Sequence, residues 1–175
     1  MSTLAFASVV DFAQCVDQKL SYETTIPKEM MPRLIESVDR IDGDIKAKFH
    51  FYRDLQGLNT IEGSIEACVI LICQRCGREF KQNICANFSS TPDKAKAVSL
   101  RIENKLDLVE LNEFGQFELL NFLEDSLMLE IPYAPKHEDD DPNCIESGEL
   151  SFGKIDEKEN PFASLAALKD KFAKD

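Results

Sequence analysis

Residues 45–73 read IKAKFHFYRDLQGLNTIEGSIEACVILIC and contain two runs in which apolar and polar side chains alternate. The apolar positions of the first run are Ile45, Ala47, Phe49 and Phe51. A period of two places such residues on one face of a β-strand and the intervening polar residues on the other. The second run has the same period over residues 61–67, and a turn-like stretch, residues 54–59, lies between the two. This pattern predicts two antiparallel strands.

The flanking segments extend this pattern into an α+β fold. FKQNICANF, residues 80–88, is typical of a further strand, and LDLVELN, residues 106–112, is a shorter strand candidate. SSTPDKAKAV, residues 89–98, is predicted to be a polar loop. FELLNFLEDSLMLEI, residues 117–131, has an apolar stripe at helical spacing. We therefore predict an antiparallel sheet or partly closed β-barrel, built from residues 37–112, with helices packed against it.

The N-terminal segment predicts two short helices. Ser8, with Asp11 three residues later, is a candidate capping pair for a first helix whose apolar residues follow at helical spacing. Pro27 is predicted to open the second helix. Pro32 lies inside that helix, so we expect a kink or an early end there.

The remaining chain divides into an acidic segment and a terminal helix. We predict a core domain of residues 1–131, an irregular acidic loop of residues 132–159 and a C-terminal helix of residues 160–175. The helix would begin at Asn160 and Pro161. Its apolar face is formed by Phe162, Leu165, Leu168 and Phe172. Either the protein's own sheet or a partner must cover such a face, and we predict a partner.

Charge and hydrophobicity restrict the class of protein. The 175 residues are 43% hydrophobic, which is enough for a folded core, and no apolar stretch approaches the roughly 18 residues of a membrane span. No basic residue precedes the first apolar stretch, so we predict no secretory signal and a cytoplasmic protein. Residues 1–100 carry 12 basic and 13 acidic side chains, whereas residues 101–175 carry 8 and 19. The acidic half favours basic protein partners, unless it serves solubility alone.

Cysteine spacing gives the sharpest local motif, Cys73-Gln-Arg-Cys76-Gly77. Two cysteines at this spacing, followed by glycine, can direct both thiolates at one metal ion. Structural zinc takes four ligands, and His137 and Cys144 are the candidates for the other two. Reduced thiols without metal and a redox-active dithiol remain alternatives. A redox pair is expected at the start of a helix, whereas this pair lies between two predicted strands. We expect the remaining cysteines with apolar neighbours, Cys15, Cys68 and Cys85, to lie in the core.

Basic residues are concentrated near the predicted hairpin and the CxxC motif. They are Lys46, Lys48, His50 and Arg53 with Tyr52, and then Arg75, Arg78 and Lys81. One basic patch with an aromatic side chain would suit RNA. The solvent face of an antiparallel sheet would give the same pattern.

No catalytic motif stands out. Glu124 and Asp125 are adjacent on a predicted helix and would point about 100° apart, so we expect a solvated or partner-facing edge rather than an acid–base pair. The sequence lacks a phosphate-binding loop and a dinucleotide fingerprint. The acidic run of residues 137–141 lacks the spacing of a calcium loop. The protein is therefore predicted not to be an enzyme.

Three stretches in order resemble the family of large ribosomal RNA subunit accumulation protein YceD. They are CQRCGREF at residues 73–80, VELNEFGQFELLNFLEDSLMLEIPYAPKH at residues 109–137, and NPFASLAALKDKF at residues 160–172. The resemblance implies a non-enzymatic factor needed for accumulation of 23S ribosomal RNA, with precursor RNA or large-subunit ribosomal proteins as partners. Many relatives have two CxxC pairs, which implies zinc; this sequence keeps the first pair and has only Cys144 in the second region.

Two other functions compete with this one. A zinc-ribbon-like adaptor unrelated to ribosomes would have the same cysteine motif. A thiol oxidoreductase would use Cys73 and Cys76 as its dithiol.

Overall fold

A six-stranded sheet lies at the centre of the computed structural model, which describes residues 6–101, 106–138, 141 and 144. All of them belong to one compact unit, Met1–Cys144. The strands are β1 (Val10–Asp11), β2 (Ser21–Ile26), β3 (Arg40–Ile41), β4 (Ile45–Arg53), β5 (Asn59–Ile72), β6 (Glu79–Thr91), β7 (Asp107–Leu108) and β8 (Gln116–Phe117). The helices are α1 (Phe12–Asp17), α2 (Pro32–Ser37), α3 (Lys94–Leu100) and α4 (Leu119–Leu129), with a 3₁₀ turn at Lys28–Met30.

The sheet is open and mostly antiparallel. Its strand order is β2-β4-β5-β6-β7, and β3 also pairs with β5 beyond the end of β4. Of the strand pairs that the structure describes, only the short contact between β6 and β7 is parallel. The α+β prediction is confirmed. The described residues form no closed barrel.

The core lies between one face of the sheet and helices α1, α2 and α4. The predicted inward positions of β4 are all buried, and their polar neighbours point to the other face. Leu119, Leu123 and Leu127 of α4 are fully buried, as the apolar stripe predicted. Phe12 of α1 makes edge-to-face contacts with Phe51. This packing fixes the β5–β6 hairpin, which carries the cysteine motif.

Gly63 allows β4 and β5 to approach closely. A Cβ atom at this position would lie 2.3 Å from the backbone oxygen of Lys48 and 2.5 Å from the Cβ atom of Phe49. Both distances are far below van der Waals contact. The central pair of strands therefore requires glycine here.

The N-terminal helices differ from the prediction in their first residues. The side chain of Asp11, not Ser8, accepts a hydrogen bond from the N–H of Gln14 at 2.9 Å and caps α1. Pro32 does not kink a helix, because it occupies the first turn of α2. Proline fits that position since the N–H it lacks would have no partner inside the helix.

The segment predicted as a polar loop is regular. Its first residues, 89–91, complete β6, and Lys94–Leu100 forms α3. Arg101 ends the helix in the left-handed conformation, with φ 56°. The shorter strand candidate at residues 106–112 pairs only at Asp107–Leu108.

Two cysteines predicted in the core lie elsewhere. Cys15 is buried, but Cys68 is half-buried and Cys85 is exposed. Both belong to long strands, and alternation places them on the outer face of the sheet. The prediction was wrong because it rested on neighbouring apolar residues, whose side chains point to the opposite face.

Glu124 does not lie on a solvated edge as predicted, because it is buried, and it binds the same arginine as Asp125. Glu124 is buried and accepts hydrogen bonds from the Nε atom of Arg33 at 2.9 Å and from the backbone N–H of Leu34 at 3.0 Å. Asp125 binds another nitrogen of the same guanidinium. The forked donors of arginine can reach two carboxylates that point in different directions. The pair therefore joins α4 to α2.

The predicted C-terminal helix lies outside the described residues, as does most of the acidic segment. Both remain predictions. Within the described ranges, no helix is long and apolar enough to cross a membrane.

Candidate metal centre

The connection between β5 and β6 folds into a tight knuckle. The N–H of Cys73 donates to the carbonyl of Arg78 at 2.9 Å, and the N–H of Gly77 donates to the carbonyl of Cys73 at 2.8 Å. Gly77 has φ +71°, a conformation that glycine adopts without strain. This turn directs the side chains of Cys73 and Cys76 to one side, as the motif predicted.

The chain that follows α4 returns to this knuckle. The N–H of Gln74 donates to the carbonyl of Pro135 at 2.9 Å and attaches the returning segment. The ring of His137 then packs on Phe80, with centroids 4.9 Å apart. The N–H of Cys144 donates to the carbonyl of Asp141 at 2.9 Å. His137 and Cys144 thereby reach the knuckle from 60 or more residues further along the chain.

The four predicted ligands form one cluster. Their ligand atoms all lie within 4.8 Å of one another. The Sγ atoms of Cys73 and Cys144 are 3.8 Å apart, and the Sγ atom of Cys76 is 3.5 Å from the Nδ1 atom of His137. Tetrahedral zinc, with its usual bond lengths, would separate two sulfur ligands by about 3.8 Å and a sulfur from a nitrogen ligand by about 3.6 Å. The donor set and its spacing therefore fit a metal of this type.

The thiols have opposite electrostatic environments. Burial acts to raise the pKa of Cys73, but backbone N–H groups of His137, Cys76 and Arg75 favour the thiolate and lower that pKa to about 5. Burial and the neighbouring thiols Cys73 and Cys76 raise the pKa of Cys144 to about 11. Several thiolates in so small a space repel one another. A divalent cation would relieve this repulsion, and thiolate with imidazole is a donor set that suits zinc.

The location of Cys73 and Cys76 argues against a redox-active dithiol. The pair lies between two strands, as predicted, and neither cysteine begins a helix. Within the described part of the chain, no helix therefore directs its N-terminal dipole at this pair. The contact of this pair with His137 and Cys144 is the arrangement of a four-ligand site rather than of a solvent-facing dithiol.

The basic residues predicted to bind RNA lie in two groups with acidic neighbours. Lys46, Lys48 and Arg53 lie on β4 and pair with Glu66, Glu23 and Asp17, at 3.6, 3.2 and 3.1 Å. Lys81 pairs with Asp42 on the outer face of the sheet, and Arg75 and Arg78 belong to the knuckle. RNA contact by these residues remains a prediction.

Sequence reasoning missed two features outside the ligand set. The first is the ion pair of Arg33 with Glu124, whose partners are about 90 residues apart in the chain. The second is a groove beside the knuckle, between β6 and the segment that carries His137. Lys136 and Glu138 line this groove, and no local sequence pattern distinguishes them from solvated loop residues.

Comparison with known proteins identifies the family. The sequence model of the family described as large ribosomal RNA subunit accumulation protein YceD matches residues 61–169. The chain is also 31% identical, over 176 aligned residues, to the large ribosomal RNA subunit accumulation protein YceD of Haemophilus influenzae. That alignment covers 98% of this chain and all of the relative. No solved structure matches the chain. The chain therefore belongs to the YceD family of large ribosomal RNA subunit accumulation proteins.

Proposed function

We propose that this protein is a non-enzymatic, cytoplasmic factor that supports accumulation of 23S ribosomal RNA during assembly of the large ribosomal subunit. The observation that carries this proposal is the alignment, along nearly the whole chain, with a relative whose name states that role. Its partners would be precursor 23S RNA, large-subunit ribosomal proteins, or both. The net charge of −12 favours basic proteins among these partners.

We further propose that Cys73, Cys76, His137 and Cys144 hold a structural zinc ion. All four positions of a tetrahedral site would be filled by protein side chains, which is typical of structural rather than catalytic zinc. The ion would tie the segment after α4 to the β5–β6 hairpin. Binding energy at such a site contributes directly to folding.

Sedimentation of cell lysate tests the ribosomal role. The tagged full-length protein should migrate in a sucrose gradient with precursors of the large subunit, and RNA recovered with it should be enriched in unprocessed 23S ends. A protein that stays at the top of the gradient under gentle salt conditions would contradict the proposal. It would favour an adaptor unrelated to ribosomes.

A pair of cysteine variants connects the metal centre to this role. Cys73→Ser removes a ligand and should reduce association with the precursors. Cys85→Ser changes an exposed thiol outside the cluster and should leave association unchanged. Equal association of both variants would separate the metal centre from the ribosomal function.

A further inference from the structure

Among the described strands, the outer edge of β6 is unpaired over most of its length. On one side, β6 pairs with β5 in an unbroken register from Glu79 opposite Ile72 to Ser90 opposite Ile61. On the other side, only Ser90 and Thr91 pair with β7. Among the residues that the structure describes, no strand covers that side of residues 79–89.

Two hydrogen bonds show which backbone groups point to this edge. The carbonyl of Arg78 accepts from Cys73 and therefore faces β5, whereas the carbonyl of Thr91 accepts from Val109, next to β7. Neighbouring residues of a strand direct their N–H and C=O groups to opposite sides. Because the register has no bulge, the odd-numbered residues of β6 present their N–H and C=O groups to the open edge.

The edge lacks most of the features that protect such strands. Residues 79–89 contain neither proline nor glycine, and the only lysine among them, Lys81, is held by Asp42 on the outer face of the sheet. Natural proteins usually block long open edges with proline, bulges, charges or a covering segment. An unblocked edge of this length is suited to pairing with another extended chain.

A groove runs along the first part of the edge and has a volume of about 1060 Å³. Residues 78–83 form one wall, and Lys136, His137, Glu138 and Asp141 form the other. Glu79 pairs with Arg40 and Lys81 pairs with Asp42, so these charges are balanced within the protein.

The sequence around the groove is acidic, although the described lining residues carry equal numbers of basic and acidic side chains. Arg78 and Lys136 are basic, whereas the chain from Glu138 to Asp141 consists of four consecutive acidic residues. Both ends of this acidic run line the groove.

We propose that the open edge of β6 binds an extended, basic segment of a partner protein by β-strand addition. The N–H and C=O groups of the edge match a peptide backbone, and the net charge of −12 complements lysine and arginine side chains. RNA fits less well, since the same negative charge would repel its phosphates. A second copy also fits less well, because each chain carries a net charge of −12. This inference rests on the proposed ribosomal function and adds that the protein partner carries an extended, basic segment.

Peptide binding to the full-length protein tests this interface. The probe is a labelled ten-residue peptide of alternating lysine and valine, measured by fluorescence anisotropy. Asn83→Pro removes an N–H group from the open edge without removing a bond to β5, and it should weaken binding about tenfold.

The control is Thr25→Pro on β2, the opposite edge of the same sheet. The carbonyl of Leu20 accepts from Phe51 of β4, so by the same alternation the N–H of Thr25 points away from β4. This variant should bind the peptide as the wild type does.

A second probe separates backbone pairing from charge. The same peptide, methylated on alternate backbone nitrogens, keeps its charge but cannot pair fully as a strand, so it should bind at least about tenfold more weakly. Absence of wild-type binding, equal binding of the two peptides, or an equal loss in both proline variants would overturn the proposal. So would a wild-type dimer that Asn83→Pro dissociates, or an RNA decamer that binds more tightly than the peptide and depends on Asn83. None of these results would bear on sedimentation with ribosomal precursors.

Discussion

Glu124→Ala removes the carboxylate that joins α4 to α2. The side chain is only 3% exposed and accepts hydrogen bonds from Arg33 and from the backbone N–H of Leu34. Alanine cannot accept either bond. The N–H of Leu34 would then lie in a buried position without an acceptor, and we expect a large loss of stability.

The magnitude follows from the two bonds. An unsatisfied buried N–H costs about 1–3 kcal/mol, and loss of a charged hydrogen bond costs about 1.5–3 kcal/mol. The Arg33 contribution belongs at the lower end, because that side chain is 44% exposed and keeps its bond to Asp125. We therefore expect the free energy of unfolding to fall by about 3–4 kcal/mol, within the range for breaking a buried pair.

Two matched variants separate charge from hydrogen bonding. Glu124→Gln keeps an oxygen for the N–H of Leu34 and should cost about 1–2 kcal/mol. Asp125→Asn changes the 55% exposed partner of the same arginine and should cost less than about 1 kcal/mol. Urea unfolding of the full-length protein, followed by circular dichroism, gives all three values. A loss below about 1 kcal/mol for Glu124→Ala, or an equal loss for Asp125→Asn, would refute this reasoning.

Three further predictions concern the metal centre and the sheet. Protein purified without chelator should contain about one zinc per chain; Cys73→Ser should lose it and melt at a lower temperature, whereas Cys85→Ser should match the wild type. Gly63→Ala forces a methyl group into the backbone of β4 and should cost at least about 3 kcal/mol, against about 1 kcal/mol for Gly43→Ala, which has open space but a φ of +90°. Burial and a hydrogen bond to a neighbouring glutamate raise the pKa of Tyr52 to about 12. Because this pKa is higher in the folded state, the contribution of Tyr52 to stability should be complete below pH 10 and should be lost between about pH 10 and 12. Absorbance at 295 nm should show a titration phase near pH 12 that Tyr52→Phe removes.

The long strands and α4 could be predicted because one physical rule determines each of them. The inward positions of β4 and the apolar stripe of α4 are set by burial of one face, and a local period reveals such a face. The same rule failed for Cys85, whose apolar neighbours lie on the other side of the strand. Helix α3 was missed because its lysines and alanines carry no apolar stripe, although both residue types favour helices.

The metal centre could be predicted only as a set of residue types. The spacing of Cys73 and Cys76 indicates a knuckle. His137 and Cys144 are the one histidine and the one cysteine in the sequence of the acidic segment. The hydrogen bond from the N–H of Gln74 to the carbonyl of Pro135 attaches the segment that carries these ligands to the knuckle, and no local sequence pattern predicts that bond. The buried pairing of Arg33 with Glu124 was missed for a similar reason, since it depends on how α2 packs against α4.

The ratio of 23S to 16S ribosomal RNA in cells depleted of this protein tests the central claim most directly. The ratio should fall on depletion, with 23S precursors reduced or unprocessed, and expression of the wild-type chain should restore it. Cys85→Ser should restore it equally, which would show that rescue tolerates a surface change outside the metal centre. An unchanged ratio in depleted cells, with normal large subunits, would contradict the proposed role.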